Sequence, residues 1–456
     1  MKKQLLRKPE KHEAEENIYA GMGLKGNPFP PQPALNVDSP DPRLNGEIYC
    51  PELHRDKKER FEELLVPGEN RSPNPLVFLM DLASPSGRGI GKSAFLKHRR
   101  DDIMQDLGER ASDEQAVLFA EHIIPPPTPP CRKFWSFCRL TIQALSKKII
   151  PYATWRLRAL SGVLSEEVLD QVGEEEQWEN TIGSNAWLKG KGVNVEFELD
   201  KAVQRLLRGT GVSEEWATQL ARCGASAHAA AGLFEQLTDY NWRRQAASLL
   251  FDELVKFFQA AEFSRGLLLV DELEKVVYHQ NAQERRSFVD SLRHYLIDGG
   301  CTAARNRFYG MLLTIHPGVQ ELLLPHWKAA GLDRLAPLAQ PDAKRCTLYF
   351  DPLNRPQATP LVKVYLDYYR LEEEEKGSVE PFTRDALVEA LLKSEGVPGR
   401  TLSLLHDVIE SAARQGKERI DEEFVNSIYK KREPEPPEQR SDSERPPKPQ
   451  VDLTGE

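Results

Sequence analysis

One run of residues, Ser86-Gly87-Arg88-Gly89-Ile90-Gly91-Lys92-Ser93, limits what this chain can fold into more than any other. The apolar stretch at 76–80 before it reads as a buried strand, and the residues from Ala94 to about Leu107 repeat at helical spacing. Strand, glycine-rich turn, Gly-Lys-Ser and helix, in that order, are the layout of a phosphate-binding loop. Glycines let the backbone curl until successive N–H groups face one anion, and the helix N-terminus adds its partial positive charge. Gly87, Arg88, Gly89, Ile90, Gly91, Lys92, Ser93 and Ala94 would form the cradle. Lys92 would reach the β- and γ-phosphates, and the Ser93 hydroxyl would ligate Mg²⁺. Ser86 stands where the usual pattern has a glycine, which bears on the loop's shape more than on its ligand.

A second motif lies far downstream. Gly266-Leu267-Leu268-Leu269-Val270 is an apolar strand that ends in Asp271-Glu272, the Walker B pattern in its hydrolytic form. On this reading the strand lies beside the loop strand, Asp271 holds the hydrated Mg²⁺, and Glu272 polarises the attacking water. A helix over about 283–297 and an apolar strand over 308–313 follow, and that strand ends in Thr314-Ile315-His316. Both motifs in this order point to a nucleoside triphosphate with Mg²⁺ as the ligand.

Composition narrows the class. With 456 residues, two or three domains are expected. A net charge of −9 argues against nucleic-acid binding by the molecule as a whole, while a local basic face stays open. Lys97-His98-Arg99-Arg100 and Arg243-Arg244 are basic clusters that also suit solvated helix faces. The six cysteines are scattered, with no C-x-x-C pair, which suits reduced thiols rather than a disulfide framework or a zinc site. No apolar run approaches the ~18 residues of a membrane helix. The basic start lacks the apolar core of a signal peptide, so a cytoplasmic location and no membrane partner are expected.

Taken in order, residues 1–20 read as a loose polar arm and 21–44 as an extended, proline-rich lead-in. A helix over 57–65 precedes the loop, and 116–120 reads as a second buried strand cut off by the proline run at 125–130. Lys92 and Asp271 are 179 positions apart, far more than a compact crossover needs. We read 150–240 as an insertion, either a structural elaboration or a partner-docking module. Within it Val193, Val195, Phe197 and Leu199 alternate with polar residues, the period-2 pattern of a half-exposed strand. Residues 242–262 form an amphipathic helix. After the strand at 346–350 the pattern is helical to about 431, and from Glu433 on it is charged, proline-rich and expected to be disordered.

Residues 21–431 together resemble an AAA+ ATPase, in style the initiator (origin-recognition) branch. The resemblance implies an α/β P-loop NTPase: a three-layer core with a parallel sheet over 45–350, then an all-helical lid over 351–432. Gly23-Leu24-Lys25-Gly26-Asn27-Pro28-Phe29 resembles the lead-in that lies over the adenine in that family; a plain linker is the alternative. Thr314 and His316 both suit sensor 1, which contacts the γ-phosphate or the water. Arg334, before the last core strand, stands where the family has its arginine finger; a surface salt bridge is the alternative. Gly396-Val397-Pro398-Gly399-Arg400 resembles sensor 2, with Arg400 approaching the phosphates. The passage 332–340 is also similar to ATP-binding proteins of BREX-type phage-defence systems. These likenesses imply an ATPase that couples nucleotide state to remodelling or loading of a partner; a slowly hydrolysing, ATP-gated switch is the alternative. The partner would be another copy or a protein of the same system, with nucleic acid implied by family analogy alone. The initiators' winged-helix DNA reader has no counterpart after the lid, which puts direct sequence-specific DNA binding in doubt.

Overall fold

The computed structural model describes residues 17–32, 35–36, 39–66, 72–82, 89–105, 117–174, 177–225, 227–339 and 341–432. The expected disordered tail, most of the N-terminal arm, and Ser86, Gly87 and Arg88 of the loop lie outside them.

Five apolar runs make one parallel sheet: β1 (Leu76–Asp81), β2 (Val117–Ile123), β3 (Phe263–Val270), β4 (Tyr309–Ile315) and β5 (Thr347–Phe350). Their order is β2-β3-β4-β1-β5, every pair parallel. The strands read as continuous apolar runs because both faces are covered. Leu76, Phe78 and Met80 point into one core, while Val77 and Leu79 point into another with Phe61, Phe95, Leu96 and Phe350. The three-layer α/β core expected from the sequence is present. One expectation is corrected: β4 lies between β1 and β3, so the Asp271 strand is not beside the loop strand.

Contacts divide the chain into two compact units. The core unit is Pro33–Leu353 with Val397–Gly399; the other comprises Met1–Gln32, Asn354–Gly396 and Arg400–Glu456. The lead-in therefore divides, and its residues up to Gln32 group with the second unit. There Leu24 bridges Arg370, Phe29 is fully buried against Tyr365 and Phe382, and Asn27 Nδ2 donates to His406 O at 3.0 Å. That unit is helical, with Arg355–Tyr369, Arg384–Lys393, the helix Pro398–Arg414 from Arg400 onward, and Glu422–Arg432 as its main elements.

Residues 150–240 share one hydrophobic core with the sheet: Trp155, Val195, Leu199, Val203, Trp216 and Phe234 are buried in the same cluster as Phe78 and Phe119. Buried Arg158 ties the segment together by donating to Ile182 O at 2.8 Å and Asn185 Oδ1 at 3.0 Å. The alternation at 193–199 is not a strand. Val195–Leu199 is a single π-helical turn, capped where Asn194 Oδ1 accepts from Phe197 N at 3.3 Å, and it runs into the helix Asp200–Gly209. Period-2 spacing also places Val195 and Leu199 four apart, on one side of a helical turn; both are buried while Phe197 is 67% exposed.

Candidate functional site

The carboxyl ends of parallel strands are where an open α/β sheet gathers its ligand-binding groups. Here that edge brings together Asp81 at the end of β1, His122 near the end of β2, Asp271 after β3, and Thr314 and His316 around the end of β4. Gly89 and Gly91 enter the site with φ of +84° and +96°, where a side chain would be strained. Gly399, grouped with the core, donates from its N–H to Gly89 O at 2.8 Å. Ile90 is buried in the core beneath the loop. Lys92, Ser93 and Ala94 form the first turn of the helix Lys92–Gln105.

Lys92 Nζ lies 3.0 Å from Asp81 Oδ2, whose side chain is wholly buried. Asp271 is 1% exposed and held from several sides. Its Oδ1 accepts from Thr314 Oγ1 at 3.1 Å and from Glu272 N at 2.9 Å, and its Oδ2 lies 3.4 Å from His122 Nε2. Burial opposes ionisation, but the hydrogen bond and charge of His122, the Ser93 hydroxyl and the Lys92 charge outweigh it. Together they hold the Asp271 carboxyl down at about 2. An ionised carboxylate is thus kept beside the Gly-Lys-Ser turn.

Glu272 follows with φ +49°, and its carboxylate pairs with Lys275. Next to it Glu274 has a raised pKa, first from burial and then, in part, from the negative charges of Glu272 and Asp271. His316, buried at the N-cap of the helix Pro317–Ala329, has Nε2 3.0 Å from Tyr278 Oη. Burial and the Lys92 charge lower its pKa, against the pull of Asp81.

The structure therefore brings Lys92, Ser93, Asp271, Glu272 and Thr314 to one place, with His316 within reach of Lys92's field. Arg334 ends the 3-10 turn Leu332–Arg334 before β5, is exposed, and makes no ion pair among the described residues. Arg400 belongs to the second unit and pairs with Glu395 at 2.6 Å. Sequence reasoning missed Asp81, His122, Lys275 and Tyr278. Asp81 and His122 were findable as polar residues at the ends of apolar runs, the same signal that marked Asp271 and Thr314.

The core unit is thus an α/β fold built on one parallel sheet, in which one strand separates the loop strand from the strand bearing Asp-Glu, and it is accompanied by a helical unit. No protein-family model matches the chain. No curated protein matches it. Among solved structures it is similar to the Aeropyrum pernix ORC2 protein, determined as ADPNP–ADP complexes. The two share 11% identity over 88% of this chain and 69% of that one, with a TM-score of 0.41.

Proposed function

We propose that the chain binds ATP with Mg²⁺ at the carboxyl edge of its sheet and hydrolyses it to ADP and phosphate. The observation that carries the reading is the buried, ionised Asp271 bonded to both Ser93 and Thr314, with Lys92 alongside. The donors suit Mg²⁺: a hydroxyl and a carboxylate are hard oxygen ligands. Mg²⁺ with a nucleotide uses one or two carboxylates plus phosphates and waters. When bound, the ion would neutralise charge on the phosphates; Ser93 and Asp271 would hold it.

Lys92 then orients the β- and γ-phosphates. Glu272 accepts the proton of the attacking water, and Thr314 fixes Asp271 and senses the γ-phosphate. Arg334, exposed on the surface, would reach the nucleotide of a neighbouring subunit, and Arg400 would act from the helical unit. Nucleotide state would be coupled to remodelling or loading of a partner, with a DNA-associated or phage-defence setting the one family likeness suggests. A slowly hydrolysing, ATP-gated switch is the second reading, favoured by the Glu272–Lys275 pair. Titration of ATP with and without Mg²⁺ into the wild type, Lys92→Ala and Asp271→Asn tests the binding half. Mg²⁺-dependent binding that weakens roughly 10- to 150-fold in Lys92→Ala is expected, because a charge-assisted contact of ~1.5–3 kcal/mol is lost. Equal binding by all three proteins would overturn the reading.

A further inference from the structure

The Glu272–Lys275 ion pair is left over by the chemistry above. Glu272 sits in left-handed backbone space that side-chain-bearing residues seldom occupy, and such conformations persist only where surroundings over-determine them. Three contacts do so here. Glu272 N donates to Asp271 Oδ1 at 2.9 Å, Lys275 N donates to Glu272 O at 2.9 Å, and Lys275 Nζ meets Glu272 Oε2. Lys275 is carried by the short turn Glu274–Val277, anchored by the fully buried Val276 and Val277. The Lys275 ammonium thus pairs with one carboxylate of a group in which Glu272, Asp271 and Glu274 act on one another.

We propose that Lys275 is a positioning residue that holds the Glu272 carboxylate in a resting pair and so limits activation of water. The inference rests on the hydrolytic reading of the site. An ammonium on Oε2 lowers the basicity of the whole carboxylate and fixes its orientation, so the closed pair makes Glu272 a weaker base toward water. The side chains of Lys275 and Glu272 are 27% and 37% exposed, which makes the pair weak, salt-sensitive and displaceable. Neutralising Lys275 should speed the chemical step without changing how tightly nucleotide is held.

The test is steady-state phosphate release at saturating ATP for the wild type, Lys275→Gln, Lys275→Arg and Glu272→Gln, at low and high ionic strength. Lys275→Gln should raise kcat about two- to five-fold, the factor an exposed ion pair of this kind commands, with KM unchanged. Lys275→Arg, which rebuilds the pair, should return kcat toward the wild-type rate. Added salt should raise kcat of the wild type and not of Lys275→Gln, a readout that a merely structural role would not move and that the wild type supplies alone. Turnover that stays level or falls in Lys275→Gln, with no salt activation of the wild type, overturns the brake and leaves the hydrolytic reading standing. Absence of turnover above Glu272→Gln in every protein overturns the hydrolytic reading and the brake with it.

Discussion

Thr314 on β4 donates its hydroxyl hydrogen to Asp271 Oδ1 at 3.1 Å, and that bond joins the strand between the two motifs to the second motif itself. Because β4 separates β1 from β3, the carboxylate reaches the Gly-Lys-Ser turn across one strand, and the intervening strand supplies a donor. Thr314→Val keeps the shape and removes the hydroxyl, leaving a buried carboxylate one partner short at a cost of about 1–3 kcal/mol. Phosphate release should fall about 10-fold or more, with ATP affinity changed by only a few-fold. Parallel measurement of kcat and nucleotide Kd checks this; an unchanged kcat would remove Thr314 from the mechanism.

His54 gives a pH prediction. It is buried against Phe95 and Phe350, close under Gly91, and burial, helped by the Lys57 charge, pushes its imidazole down to about 4. The unfolded chain takes up this proton below ~6.5, whereas the folded chain waits until about 4, so acid favours unfolding across that window. Stability from this group is complete above ~6.5 and should decline by about 2 kcal/mol by pH 5. Denaturant melts of the wild type and His54→Phe at pH 8 and pH 5 isolate the effect. The variant should lose less stability on acidification than the wild type.

Gly266 on β3 lets the Phe119 ring lie against the backbone. A Cβ added there would stand 2.4 Å from Phe119 Cζ and 2.8 Å from its Cε2. That ring is itself locked by Phe258 and Phe263, so it cannot swing away. Gly266→Ala should destabilise the core by about 1–3 kcal/mol through overpacking. A thermal melt shows it directly, and Phe119→Leu combined with Gly266→Ala should recover part of the loss.

The sequence made most of the core strands readable because strands covered on both faces are continuous apolar runs. Leu76–Met80 and Leu267–Val270 are short, fully buried apolar runs opened by Pro75 and Gly266 and closed by Asp81 and Asp271, which suits a strand. Strand order was not readable: nothing local in Tyr309–Ile315 says that it inserts between β1 and β3, because order is set by long-range packing. The alternation at 193–199 misled because four-residue spacing satisfies both a strand face and a helical turn. At the site, Lys92, Ser93, Asp271 and Glu272 were visible through spacing that phosphate chemistry dictates. Asp81 and His122 end apolar runs, a signal that does not say what they would face, and a lone Lys275 has no spacing to announce it. Their partners are assigned only once the fold sets Asp81 beside Lys92, and His122 beside Asp271.

The most direct test of the central claim is phosphate release from ATP by the wild type and by Glu272→Gln, at several protein concentrations, with and without duplex DNA. The account predicts Mg²⁺-dependent turnover that Glu272→Gln abolishes while ATP binding persists, with a rate per chain that rises with concentration and is lost in Arg334→Ala. ATP that binds and is never hydrolysed, or turnover that Glu272→Gln leaves intact, would contradict it.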